Sequence, residues 1–593
     1  MLQDLVRYYD ILAKDTNSGI CKLGYGEAKI SYAINLSKDG ELLNLLSLKV
    51  ADSKGKKYVS VSKMVPEPVK KTVNVAANFL WDNSSYVFGI DDKGKPERSE
   101  KCFFEFKRLC LQVMQSVENE ETKAMTQYLE QWEPKVAAEC PQLQAYLEDI
   151  YGGANFIFHV EGMDHYIHEN KEIMTAWERY KSQSQSEVQS ICLVTGEKLP
   201  IARLHPIIKG IRGGQAMGNT LISYNDLAYE SYGKEKAQGY NACISEKAAY
   251  EYSTVLNKLL SDNEHKIYIG DTTVLFWAES TQRVYQDVLI NWLNPQASSM
   301  KEETMQSKSG NKDIKSILSH IRDGIARDEE IDEDISFCIL GLAPNAARIS
   351  VRFFIKDSFG EILKHLERHY QDMQLEKQFN DEMNLIPIWR MLSETVSKKS
   401  TNKDASPLLA GSVMRAILLG AKYPDILYQS ILMRIRAEHD ISYYKVSIIK
   451  ACLIRKSHLS DIQRGGLTMA LNKDCTNMAY ILGRLFAILE KIQLDGVEAI
   501  NTTIKDKYFN SACANPANIF PMLLKLSNHH LNRISDDGKR ISSEKRLNEI
   551  MELITVDDEA VSFPKSLSYD DQGLFVIGYY HQRNDFYKKK EDK

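Results

Sequence analysis

Hydrophobic positions follow two regimes along the chain. From about residue 385 to about residue 555 apolar residues recur every three or four positions, as in PLLAGSVMRAILLGA, ILYQSILMRIRAEHD, YKVSIIKACLIRK, AYILGRLFAILEKIQ and PMLLKLSNHHLNRI. That period marks one face of a helix, and the short gaps between runs predict antiparallel neighbours in a bundle. Upstream the pattern is mixed. MLQDLVRYYDILAKD predicts an amphipathic helix, residues 100–150 carry helical spacing, and AKISYAINLSKDGELLNLLSLKV predicts two strands turned at Asp39-Gly40. Extended runs return at NFIFHVEG, LISYN and KIYIGDTTVLFWAES, and FCILGLAPNAARISVRFFI feeds a helix in SFGEILKHLERHYQDMQLEK. Residues 281–335 break both patterns with polar KEETMQSKSGNKD and acidic RDEEIDEDI, which predicts a flexible insertion. No repeat of fixed period is evident. The expected fold class is α+β: a mixed α/β region over residues 1–380, then an α-helical bundle over residues 385–593.

A chain of 593 residues can bury several cores. Its net charge of −5 means that any nucleic-acid binding must come from local basic patches. Ten cysteines are scattered with no CxxC pair, so neither a zinc ribbon nor a disulfide framework is indicated. No apolar run approaches a membrane span and the first residues lack a signal-peptide core, so the expected location is the reducing cytoplasm, with no membrane partner.

The densest chemistry is RLHPIIKGIRGGQAMGNTLISYN, residues 203–225. Arg203, Lys209 and Arg212 lie among Gly210, Gly213, Gly214 and Gly218. Glycines bring backbone N–H groups close to a ligand, and nearby cations favour phosphate. From Gly213 the spacing is nearly that of a nucleotide-binding loop, but Asn219 stands where the phosphate-binding lysine belongs. A nucleic-acid backbone loop and a plain glycine-rich turn both remain open at this point.

Other groups are weaker. Lys54, Lys56, Lys57, Lys63, Lys70 and Lys71 form a basic stretch, followed by Asn74 and Asn78; such residues can hold phosphates or read base edges, or can simply be solvated. In the helical half, Arg434, Arg436, Lys445, Lys450, Arg455, Lys456 and Arg464 predict a cationic helix face with Tyr443 and Tyr444 between them, suited to a single strand. His159, Glu161, His165 and His168 cluster without a recognisable metal spacing, and His439-Asp440 and His529-His530 fit helix packing better than ligation. No catalytic centre, metal site or cofactor is expected.

The segments GYGEAKISYAINLSKDGELLNL, PEPVKKTVNVAANFLWDNSSYVFGID, CLVTGEKLPIARLHPIIKGIRGGQAMGNTLISYN, AYESYGKE, IGDTTVLFWAE, LGLAPNAARISVRFF, NHHL and DQGLFVIGYYHQR span almost the whole chain. In that order they resemble the large subunit of the type I-C CRISPR Cascade complex. Nothing is carried over to residues 281–335, which do not match in detail. The resemblance implies a non-catalytic subunit of an RNA-guided surveillance complex. Such a subunit reads the short motif flanking the target, helps open the duplex, and presents the DNA to a recruited helicase-nuclease. Its implied partners are a crRNA-containing Cascade with backbone and crRNA-processing subunits, double-stranded target DNA and that helicase-nuclease. Rival readings are a metal-dependent nuclease through His159, Glu161 and His165, an RNA-processing enzyme of the same defence system, a nucleotide hydrolase through residues 213–220, and a helical adaptor that never touches DNA.

Carried onto this chain, Lys70 and Lys71 would contact backbone or base acceptors, and Asn74 and Asn78 base edges. Lys209 and Arg212 would hold phosphate, Gly213 and Gly214 would permit close approach together with Asn219, and Gln215 would act as a wedge at the first opened pair. Apart from the resemblance, the basic helix residues Arg434, Arg436, Lys445, Arg455 and Lys456 are, by their chemistry alone, the candidates to track a strand. The resemblance also implies a separate small subunit made from an internal start. Met469 is the candidate, because Arg464-Gly465-Gly466 is compatible with an upstream ribosome-binding sequence.

Overall fold

The computed structural model describes the chain except residues 16–17, 52–56, 70–74, 91–94, 184–187, 225, 230–237, 295–317, 320–321, 324–329, 402–404, 498–500, 557–559 and 588–593. The fold is α+β, as expected. It divides into two compact units: residues 1–208 with 220–258, and residues 209–219 with 259–593.

The first unit is built on β1 (Tyr25–Ile30), β2 (Tyr32–Leu36), β3 (Leu42–Ser47), β4 (Val50–Ala51), β5 (Tyr58–Val59), β6 (Val61–Pro66), β7 (Trp81–Asn83) and β8 (Asn155–Val160). A four-stranded sheet runs β3-β2-β8-β7, with β2 and β8 parallel and the other pairs antiparallel. Every residue of β2 is buried, because the sheet is covered on both faces. Successive strand residues point to opposite faces, so Ile34, Phe156 and Phe158 pack beneath α2 (Pro96–Met114) and α3 (Glu120–Gln131) through Phe103, Phe106 and Tyr128. Ala33 and Ile157 face the other way, onto Ile30, Val65 and Trp81. That second layer is the antiparallel ribbon of β1 and β6. α1 (Leu2–Lys14) buries its Leu5, Tyr8, Tyr9 and Leu12 face, and α4 (Lys171–Gln183) contributes Ile173 and Trp177. A small ribbon of β9 (Gln189–Ile191) and β10 (Lys198–Pro200) follows.

The second unit joins an antiparallel sheet, β11 (Lys266–Ile269), β12 (Thr272–Ala278), β13 (Ser336–Asn345) and β14 (Arg348–Ser358), to the helices that follow. Val274, Phe276, Phe337, Ile339, Phe353 and Ile355 share one core with α5 (Val284–Leu293), α6 (Phe359–Met373) and α7 (Pro407–Leu418). The core continues through α8 (Asp425–Glu438), α9 (Tyr443–Ile454), α10 (Met478–Gly496), α11 (Ile504–Ala514) and α12 (Pro516–Leu531), flanked by α13 (Asp537–Glu552), to α14 (Tyr569–Tyr587). α10 is buried almost all round from Ala479 to Glu490, as a helix at the centre of a bundle must be.

Two expectations differ here. The compact units do not divide near residue 380; the second sheet belongs with the helices because its apolar inner face packs on them. The polar insertion also starts later than residue 281. Val284, Tyr285, Val288, Leu289, Trp292 and Leu293 bury one face of α5, and most of the remainder up to residue 329 lies outside the described residues.

Candidate nucleic-acid interface

Residues 209–219 pack on the β11–β14 sheet of the second unit. The Arg212 N–H donates to Thr273 Oγ1 at 3.3 Å, and Ile211 is buried. The far end is latched by Asn219, which is only 2% exposed. Its Oδ1 accepts from Gln215 N at 3.0 Å, and its Nδ2 donates to Ala346 O, at the β13–β14 turn, at 2.8 Å. A buried amide with both ends bonded holds a loop rigidly. Lys209 just before the first anchor, and Arg212, Gln215, Ala216 and Met217 from there to Asn219, are exposed, and the Arg212 guanidinium sits 5.6 Å above the Tyr268 ring. The loop is therefore a pre-shaped cationic projection whose backbone needs no ordering on binding.

This geometry reassigns three residues. Asn219 faces inward and cannot touch DNA. Gly214 is glycine because a Cβ there would lie 2.5 Å from Asn219 Oδ1, and Gly213 because the turn takes φ +75°. The glycines make the latch; close approach of a ligand backbone is not what requires them. The nucleotide-loop spacing also has no matching context. The next helical turn among the described residues is Leu227–Tyr229, and the position of the missing lysine is filled by the latch. A residue the spacing argument overlooked stands at the tip: Met217, 78% exposed. An apolar side chain inside a Gly-rich polar loop was the available signal.

In the first unit the Lys70–Asn78 segment is pinched at its base. Asn78 Oδ1 accepts from Val69 N at 2.8 Å, Asn78 N donates to Asp82 Oδ2 at 3.0 Å, and Trp81 Nε1 donates to Pro66 O at 2.8 Å. Asn78 is buried and closes the loop, so it does not read base edges. Lys70, Lys71 and Asn74 lie outside the described residues.

The cationic helix face does not exist as expected. Lys445 is 1% exposed, between Glu438 at 2.9 Å and Asp440 at 3.1 Å. Arg455 donates to Asp372 Oδ2 at 2.7 Å and to the carbonyls of Ala416 and Ala421, with its guanidinium 4.3 Å above Tyr423. Lys456 pairs with Asp570 and lies 4.4 Å over Tyr428. Arg436 bonds Gln572, and Arg434 faces Glu438 at 3.8 Å. Lys450 is buried against the carbonyls of Asp372 and Gln374, and burial pushes its ammonium down to about 8. These cations clamp helices together. For Arg436, Lys450, Arg455 and Lys456 the partners lie tens of residues away in sequence, where no local charge pattern shows them; Arg434 and Lys445 pair locally with Glu438 and Asp440.

The histidine cluster does not converge either. His159 Nδ1 and Nε2 lie 2.9 Å from Asn35 Oδ1 and 3.0 Å from Met163 O. His168 is buried on Met64 O at 3.1 Å, and burial lowers its imidazole to about 4. His165 instead joins Asp164 at 2.7 Å and Glu121 at 3.0 Å, and the Asp164 bond raises its imidazole. Among the described residues no three His, Cys, Asp or Glu side chains are placed to share a metal, and no helix is long and apolar enough to cross a membrane.

A helical bundle joined to a sheet that carries a latched, exposed cationic loop defines an α+β protein with a surface complementary to an anion. The chain belongs to the family CRISPR-associated protein (Cas_Csd1), whose sequence model it matches over residues 5–587. That family is the large subunit of the type I-C Cascade complex. No curated protein shows significant similarity to the chain.

Proposed function

We propose that this protein is a non-catalytic DNA-recognition subunit. It engages the duplex that flanks the target, aids its opening, stabilises the displaced strand and presents the DNA to a helicase-nuclease. The observation that carries this reading is the 209–219 loop. Lys209 and Arg212 meet phosphate, while Gln215 and Met217 project at the tip, where a polar or apolar wedge can enter an opening base step. Family membership supports a place in a CRISPR-associated complex; in RNA-guided recognition, pairing reads sequence and protein reads the adjacent motif. In the cell this assembly acts in the cytoplasm.

Met469 lies in the loop between Arg464 and α10, and its carbonyl accepts from Glu376 N at 2.9 Å. An internal start there would keep α10 to α14 whole, which favours a separately made small subunit. Mass spectrometry of the purified complex tests it: no fragment beginning at Met469 would sink it.

The main test is gel-shift binding of the full chain to a duplex library with a randomised flank. A selected flank whose preference disappears in Arg212→Ala/Gln215→Ala supports the assignment. An unchanged preference overturns it.

A further inference from the structure

The hairpin of β13 and β14 turns beside the 209–219 loop and is joined to it at two points. The Asn219 amide donates to Ala346 O at 2.8 Å, and Gly213 abuts Pro344, whose Cγ would lie 3.5 Å from a Cβ on that glycine. The strands close at the pair Asn345 and Arg348, which leaves Ala346 and Ala347 as a two-residue turn. Ala346 takes φ +51°, a left-handed conformation that alanine rarely adopts and that glycine usually fills. The bond from the buried Asn219 to its carbonyl helps hold it there. Loop and turn are therefore one rigid piece, and neither needs ordering before it meets a ligand.

Asn345, Ala346 and Ala347 are exposed. The Asn345 carboxamide bonds none of the described residues, unlike Asn78 and Asn219, whose amides serve the fold. An amide offers an acceptor and a donor side by side. A phosphate, with acceptors only, engages one of them, whereas a base edge with a donor beside an acceptor engages both. Adenine presents that edge in the major groove, as N7 and the N6 amino group, and asparagine is a usual bidentate partner for it. The turn carries no charge that would draw it to phosphate, and alanine methyls at 346 and 347 suit the thymine methyl of the same pair. A two-stranded β ribbon is narrow enough to enter that groove. Arg212, held over Tyr268 on the adjoining loop, supplies the cation for a phosphate, the kind of contact that sets register.

We propose that the β13–β14 turn is a second base-reading element, in which Asn345 recognises an A·T pair of the flanking duplex from its major groove. The inference rests on the DNA-recognition reading above and adds to it a residue, a base pair and a groove.

The test is selection by the full-length chain from the duplex library with a randomised flank, followed by fluorescence anisotropy on single duplexes. Wild type, Asn345→Ala, Asn345→Asp and Arg212→Ala/Gln215→Ala are compared at matched thermal stability. Wild type should prefer adenine at one flank position. Asn345→Ala should lose about tenfold of discrimination there and keep it elsewhere. Asn345→Asp, which has no donor, should turn from adenine toward cytosine, whose N4 amino group donates. Placing 7-deazaadenine at that position removes the N7 acceptor; it should weaken wild type and leave Asn345→Ala unaffected. The proposal is overturned if Asn345→Ala keeps the wild-type profile, if it weakens every flank equally, or if wild type accepts 7-deazaadenine as well as adenine. Loss of preference in the loop variant alone overturns the proposal and leaves the loop reading standing. Loss in the Asn345 variants alone supports the turn and faults the loop. A wild type with no flank preference overturns both.

Discussion

Gly483 and Gly578 let α10 and α14 cross with their backbones in contact. A methyl group on Gly483 would overlap Phe575 O and lie 2.8 Å from Tyr579 N; one on Gly578 would overlap Tyr480 O and lie 3.0 Å from Tyr480 C. Each glycine thus opens the space that the opposite helix occupies, at the centre of the bundle expected to follow Met469.

Gly483→Ala and Gly578→Ala should each destabilise the protein by about 1–3 kcal/mol, although alanine favours helix by about 1 kcal/mol. The obstruction is backbone and cannot rotate away. Gly411→Ala, in α7 with nothing within 4 Å of the added Cβ, is the control and should be neutral or stabilising. Urea unfolding of the three variants checks the order.

Asn219→Ala should leave the Gln215 N–H and the Ala346 carbonyl without their partner. Hydrogen exchange over residues 209–219 should rise, and flank preference should weaken without a change in global unfolding, because the loss of about 1–3 kcal/mol is local. Asn219→Lys should disturb the same latch and create no ATP binding, measured by equilibrium dialysis. Nucleotide binding in that variant would revive the phosphate-loop reading.

Met217→Ala should reduce opening of the flanking pairs, followed by 2-aminopurine fluorescence, by severalfold. Arg212→Ala should instead weaken all duplexes alike and lower the salt slope by about 1. Equal effects of both on every sequence would argue that the tip carries no wedge.

Asp372→Ala should cost about 3–5 kcal/mol, since it strands the buried Arg455 guanidinium in the protein interior. Single-strand affinity should be unaffected once stability is restored by lower temperature. A loss of DNA binding in the folded variant would return these cations to the interface.

Burial holds the His168 imidazole at about 4, well below the ordinary 6.5. A depressed folded value means stability that is complete above 6.5 and is lost as pH falls through 4, roughly 3 kcal/mol in all. Denaturant titrations between pH 7.5 and 4.5 should show that decline, and His168→Gln should flatten it.

Legibility followed the range of the interactions. The helical period of α10 and the alternation of β8 are local, and each element lies where its pattern put it. The Asp39-Gly40 turn joins β2 and β3 as predicted, with Gly40 at φ +79°. The exposed cations Lys209 and Arg212 were visible because a Gly-rich segment rarely supports a buried charge. By contrast, Asn78, Gly214 and Asn219 carried the right chemistry for a ligand and were given to the fold's own latches. The sequence by itself determined the α+β class, most of the order of the elements, and the segments that set the protein in a CRISPR-associated family; the run LISYN forms no strand among its described residues, and the helix Glu246–Ser261 was not among the predicted elements. Only the tertiary structure decided which polar side chains face outward. A lysine at 456 is a DNA contact or a helix clamp according to whether Asp570 is brought beside it. That is a matter of chain closure across more than a hundred residues, which no local pattern encodes. The same closure leaves Met217 uncovered at the tip of the 209–219 loop, an exposure that the fold, not the composition, established.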